Sequence, residues 1–219
     1  METWLSYSPE DFLLFSERVY WRLFELHNAA LWPAQIVVLI AGGAMLLLLH
    51  RRPVWSGRAT AAILGFAWVI SALTFLPRYA SINWLADDLV PLFLCQAGLL
   101  AVLGIYLNAF RPAARINPVG IAVCAYGLFL HPLVALADGR PLAGAELFAL
   151  APDPTAIVTI GALTTLRANL SVRLLAVIPL LWCLASWATL ATLGTWEAWI
   201  LPGAVLAALV SSLMPDRQA

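Results

Sequence analysis

The sequence contains no lysine; all twelve of its Lys/Arg positions are arginine. Without that amine there is no Schiff base and no phosphate-loop lysine, which excludes retinal proteins, pyridoxal phosphate enzymes and phosphate-loop NTPases. Charge of either sign is scarce, at 11% of residues, and it balances to a formal net charge of zero. No basic excess is left to neutralise phosphates, so nucleic acid is excluded as a partner. Cysteine is scarce too: Cys95, Cys124 and Cys183 lie in separate apolar stretches. They lack the paired spacing of a metal or redox motif and read as small buried hydrophobes. His-Glu-x-x-His, Gly-x-Ser-x-Gly and dinucleotide-binding glycine patterns are also missing, and no enzyme class is indicated.

What the chain has in abundance is apolar surface, 63% of its 219 residues. That composition belongs to a protein whose solvent is lipid. The opening Met1-Glu2-Thr3-Trp4 lacks the basic region of a signal peptide, so no cleaved leader is expected. Six stretches free of Asp, Glu and Arg are long enough to cross a bilayer, at roughly 20 residues each. A seventh, 154–166, has 13 residues. At about 1.5 Å per residue it rises only about 20 Å, short of a roughly 30 Å hydrocarbon core, so it either crosses or re-enters.

Arginine placement decides between six and seven spans, because short cytoplasmic loops collect positive charge. Seven spans with the N-terminus outside put eight arginines inside and four outside; six spans give five inside and seven outside. The expected fold is therefore an all-α polytopic membrane bundle of seven transmembrane helices, N-terminus outside and C-terminus inside, in the cell's inner (cytoplasmic) membrane. It forms a single membrane domain, with spans at about 28–49, 59–77, 89–108, 117–137, 154–167, 173–194 and 197–214. Eleven of the twelve acids then lie outside or at the outer edge.

Residues 9–27 are too charged to span, yet Phe12, Phe15, Val19, Leu23 and Leu26 recur at helical spacing. They predict an amphipathic helix that lies along the outer interface or caps the bundle. Ser8-Pro9, Asn117-Pro118 and Asp153-Pro154 read as helix starts, a cap residue followed by proline. Glu25, Asn28, Trp32 and Gln35 fall at spacings of three and four, which predicts one polar face continuing into the first span, kinked at Pro33. Pro33, Pro77, Pro91, Pro132, Pro154 and Pro202 all fall in the outer half of the bundle or at outer helix ends, with Pro179 alone in the inner half. Such kinks suit either an outer vestibule or simple helix-end punctuation. Gly203, Ala207 and Ser211 form a small-residue stripe for close helix approach, within the monomer or in an oligomer.

Polar groups are costly near lipid, so those at the outer edge are the candidate site. They are Glu25, His27, Asn28, Gln35, Arg78, Tyr79, Asn83, His131 and Asp153. No cofactor is predicted. His27 and His131, at similar depth, leave metal or haem ligation open as one alternative.

Four stretches resemble an uncharacterised family of bacterial multi-pass membrane proteins, designated a domain of unknown function. They are His27-Asn28-Ala29-Ala30-Leu31-Trp32-Pro33-Ala34-Gln35, Arg78-Tyr79-Ala80-Ser81-Ile82-Asn83-Trp84, Pro152-Asp153-Pro154-Thr155 with Gly161, and Pro179-Leu180-Leu181-Trp182. The Asn-x-Ala-x-Trp-Pro-x-Gln pattern at 28–35 is the most specific. The resemblance implies a multi-helix membrane protein and no established reaction. Its members often carry an aromatic residue in place of His27 and a cysteine in place of Asp153; aspartate would favour a harder cation or no metal.

Three functional readings follow. The first is a small permease or solute- or ion-binding protein with an outer polar vestibule. The second is a non-catalytic subunit or assembly factor of a larger membrane complex. The third is an intramembrane metal or haem protein.

Overall fold

The computed structural model describes residues 14–113 and 115–213. The Ser8-Pro9 helix start, Trp4 and the acid Asp216 lie outside the described residues. Eight principal helices follow in order: α1 (Glu17–Ala30), α2 (Ala34–Arg51), α3 (Ser56–Tyr79), α4 (Ala86–Tyr106), α5 (Pro118–Ala137), α6 (Pro152–Thr164), α7 (Leu170–Thr192) and α8 (Ile200–Leu213). Strands are absent among the described residues apart from an isolated bridge between Pro112 and Leu166. Helices α2, α3, α4, α5 and α7 are each long and apolar enough to cross a membrane.

Prolines shape these helices by removing an N–H donor. In α3 and α5 a wide π-helical turn, Ser71–Phe75 and Tyr126–Leu130, comes just before Pro77 and Pro132 and absorbs the lost bond. In α7, Pro179 leaves the Leu175 carbonyl without its partner one turn on, and Gln96 Nε2 of α4 donates to it at 2.9 Å. Gln96→Leu should therefore lower stability by about 1–3 kcal/mol. The loss should be smaller in a Pro179→Ala background, where the helix regains its own donor. Equal losses in both backgrounds, by unfolding in mixed micelles, would contradict this assignment.

Pro33 does more than kink. The helix stops at Ala30, turns through Leu31, Trp32 and Pro33 with a cis Trp32–Pro33 bond, and restarts at Ala34. The polar face expected to run from Glu25 to Gln35 is accordingly broken, with Asn28 buried and Trp32 exposed. The apolar stripe expected on α1 is also displaced. Val19 and Leu26 are exposed, while Tyr20, Trp21, Leu23, Phe24, His27 and Asn28 are buried. Aromatic stacking decides this, because Tyr20 and Phe24 pack on Tyr79 and Phe75 at the end of α3.

The short helix α6 is the centre of the bundle. It packs against α5, α7 and α8 and touches α3, and every residue from Pro152 to Leu163 is buried. A helix that is apolar all round belongs inside. Its tightest neighbour is α5: a Cβ on Gly161 would lie 2.8 Å from the Cys124 nitrogen and 3.0 Å from the Gly120 carbonyl, and one on Gly120 would lie 2.9 Å from the Gly161 carbonyl. The two backbones cross in contact, as small residues permit. Asn117 caps α5 as expected, its Oδ1 accepting from the Val119 and Gly120 amides. Its Nδ2 donates to Ser211 on α8 at 3.1 Å, whereas Gly203 of the same stripe has nothing within 4 Å of a built Cβ.

Candidate functional site

The loop between α5 and α6 turns back into the bundle. Residues 144–163 are buried without interruption, first as irregular backbone and then as α6. Buried irregular backbone needs partners for its polar groups. Asn28 of α1 donates its Nδ2 to the Ala143 and Ala145 carbonyls, both at 2.8 Å. Ser71 Oγ of α3 donates to the Ala149 carbonyl at 2.8 Å, and Thr155 Oγ1 accepts from the Ala149 amide at 2.9 Å. These bonds hold Ala149 in the left-handed region, at φ 67°.

Threaded this way, the loop carries Glu146 under α1 and against α5. Glu146 Oε2 lies 3.1 Å from His131 Nε2, and the two side chains are only 6% and 4% exposed. In the first turn of α6, Asp153 accepts two bonds from α7, Trp182 Nε1 to Oδ1 and Ser186 Oγ to Oδ2, both at 2.7 Å. Trp182 and Ser186 are four residues apart and so share one helix face. Asp153 was expected to cap α6, but the cap position is Ala151 and the carboxylate turns sideways to α7.

A third carboxylate, Glu197, stands in the turn before α8 and is 2% exposed. Arg140 pairs with it, reaches Asp138 Oδ2 at 3.1 Å, and lies 3.5 Å above the Trp21 ring of α1. Trp196 Nε1 donates to the other Asp138 oxygen at 3.0 Å. Arg140 is thus the one guanidinium that joins α1, the end of α5 and the α7–α8 turn. The centre beneath it holds Glu146, Asp153 and Glu197, with Glu146 close enough to each of the other two to repel it when charged. Burial pushes the Glu146 carboxyl up to about 7, with Arg140 opposing the shift.

Of the nine candidate residues, His131 and Asp153 enter this centre and Asn28 borders it through the loop it holds. The rest do other work. Gln35 Nε2 donates to the Asn28 carbonyl at 2.7 Å and bridges the α1–α2 break, which gives the Asn28-to-Gln35 pattern a structural role. Arg78 donates to the Leu26 carbonyl at 3.2 Å near the end of α1. Asn83 donates to the Tyr79 hydroxyl at 3.2 Å, and Glu25 pairs with Arg22 at the surface. His27 is buried edge-on to Phe75. Neither of its ring nitrogens completes a hydrogen bond of ordinary geometry, although the Leu150 backbone is close enough to act on it. Burial, reinforced by Arg78, pushes its imidazole down to about 4, so it is neutral.

His27 and His131 therefore sit in different surroundings, one against Phe75 and the other against Glu146. Among the described residues no group of three or more His, Cys, Asp or Glu is arranged to hold a metal ion. Clefts open on the described surface away from this centre. One lies between α5 and α8 and another between the start of α1 and the turn after α3, and no candidate residue lines either. Over the centre itself, α1 packs against the start of the loop.

Glu146, Glu197, Arg140 and Ser186 were not singled out by sequence, and Trp182 only within the Pro179-Leu180-Leu181-Trp182 stretch. Glu146 had a signal: it is the lone charge between Arg140 and Asp153, in an otherwise apolar stretch. Ser186 had only its four-residue spacing from Trp182. No curated protein and no solved structure is detectably similar to the chain. Residues 17–219 match a family described as a family of unknown function (DUF6064), and the chain belongs to that family.

Proposed function

We propose that this is a seven-crossing inner-membrane protein, acidic end outside, that binds and exchanges protons at the His131–Glu146–Asp153 centre as a small proton-coupled permease. The observation that carries the reading is the buried Glu146–His131 contact, set beside two further carboxylates and the Arg140 guanidinium. Ionisable groups are expensive at such depth, and proton relays are built from acid and histidine chains. A re-entrant loop leading into a short buried helix resembles the broken helices of transporter sites. In this conformation α1 and the loop cover the centre, which corresponds to an occluded state. Five membrane-length helices support the bilayer setting, and the reading takes α6 and α8 as the remaining two crossings. Exposed Trp32, Trp84, Trp196 and Trp199 suit an interfacial belt at the acidic end.

Proton binding has a defined sign. The groups facing Glu146 are Tyr20 of α1, Tyr126 and His131 of α5, Asp153 of α6, Arg140 and Glu197. Its folded pKa of about 7 lies above the ordinary value of 4.5. The folded state therefore holds a proton that the unfolded state has released, and stability is full below about 4.5 and falls as pH rises through about 7. Infrared titration of the purified protein should show carboxylic acid absorption vanishing over that upper range, and Glu146→Gln should remove the Glu146 share of it. In proteoliposomes with a trapped pH dye, Glu146→Gln and Asp153→Asn should each cut proton flux on the order of a hundredfold. Undiminished flux in both variants would remove the centre from function.

A second reading, a subunit of a larger membrane assembly or a homo-oligomer, is supported by the cleft between α5 and α8. Gly203 and Ala207 line it with no side chain filling it. A stoichiometric partner retained through purification in mild detergent supports that reading; a solitary monomer counts against it.

A further inference from the structure

The end of the bundle opposite the proton centre carries positive charge, and none of the described acids lies there. All eight described acids, from Glu17 to Glu197, lie at the other end. Here three loops interlock: Arg52 Nη1 donates to the Ala113 carbonyl at 2.9 Å, the Arg167 amide to the Arg111 carbonyl at 2.7 Å, and Asn169 Nδ2 to the Ala109 carbonyl at 3.2 Å. Gly57 sits so close to Phe110 that a Cβ would fall 1.9 Å from its carbonyl oxygen. The result is a preformed plate.

On that plate Arg51, Arg58, Arg111, Arg167 and Arg173 are exposed, and none pairs with a described carboxylate. Two of them are placed against local preference. Arg58 and Arg173 lie in the first turns of α3 and α7, where the helix dipole disfavours cations, and neither turn contains an acid. At the acidic end the rule is obeyed: α1 has Glu17, α4 has Asp87 and Asp88, and α6 has Asp153 in the first turn. Arginines set where the chain itself would be better served by acids fit an anion that comes from outside.

The apolar neighbours say which anion. Val54 and Trp55 precede Arg58, Ile116 follows the basic loop, and Leu170 stands between Arg167 and Arg173; all four are exposed. Guanidinium groups alternating with exposed apolar side chains match a surface that offers phosphate and hydrocarbon together. We infer that this plate is a binding surface for the headgroups of anionic phospholipids. The inference rests on the bundle crossing a bilayer and is independent of the proton centre.

The test is thermal unfolding of the full chain in a neutral detergent with added phosphatidylglycerol, phosphatidylcholine or inorganic phosphate. Phosphatidylglycerol should raise the midpoint, with phosphatidylcholine and inorganic phosphate giving no comparable rise. Affinity for phosphatidylglycerol should fall roughly fivefold per arginine removed in Arg58→Gln, Arg173→Gln and their double variant. Arg58→Lys and Arg173→Lys keep the charge and should keep the response, which separates binding from a folding defect. Equal stabilisation by phosphatidylcholine, an equal response to inorganic phosphate, or a full lipid response in the double glutamine variant would overturn the inference. Cysteine labelling that places this plate outside the cell would overturn the proposed orientation while leaving the lipid response intact.

Discussion

Arg140→Met should be among the most damaging single changes in the chain, lowering stability by about 3–5 kcal/mol. The substitution leaves Glu197, 2% exposed, without its ion pair in an apolar setting. It also removes the guanidinium from the Trp21 ring, a contact worth about 0.5–2 kcal/mol. The larger loss comes from the stranded carboxylate rather than from the pair itself, because a buried pair gains little over apolar groups of the same volume. Arg140→Met combined with Glu197→Leu should consequently recover most of the stability. Unfolding in mixed micelles measures both variants, and a double variant as unstable as the single would sink the argument. The same change should reach the proton centre. Arg140 holds the Glu146 pKa down against burial, so its removal should move the infrared midpoint of Glu146 above about 7.

Gly161→Leu should be equally severe for a different reason. A Cβ there meets the Cys124 amide nitrogen at 2.8 Å and the Gly120 carbonyl at 3.0 Å, and backbone atoms cannot swing aside as a side chain can. Nor can α6 move away, since α7, α8 and α3 enclose its other faces. Overpacking ordinarily costs about 1–3 kcal/mol, and this site, with no room to relax, should lie at or beyond the upper end. Gly203→Ala is the control: nothing stands within 4 Å of the added carbon, and stability should change by no more than about 0.5 kcal/mol. A tolerated Gly161→Leu with native unfolding would mean that the α5–α6 crossing does not hold the centre in place.

Much of the local structure was legible because it depends on neighbours in sequence. The Asn117 cap, the membrane-length helices and the gathering of arginine at one end each follow from a residue type at a position. The failures were of another kind. Asp153 has the sequence of a cap but the partners of a core residue, since Trp182 and Ser186 reach it from 29 and 33 positions away. Glu25 and Arg78 read as site residues because charge near lipid is costly, yet both settle at the rim, one on Arg22 and the other on a helix-end carbonyl. Within the Asn28-to-Gln35 pattern, both polar residues are spent on backbone carbonyls.

By itself the sequence determined the helical membrane character, the absence of lysine chemistry and the separation of acidic from basic ends, because hydropathy and charge act on each segment alone. Only the tertiary structure decided that the shortest helix is the core and that Glu146 meets His131. Lipid and protein interior are equally apolar, so a helix apolar on every side does not announce which of the two it faces. The pairing across the re-entrant loop exists only once α1, α3 and α7 have closed around it.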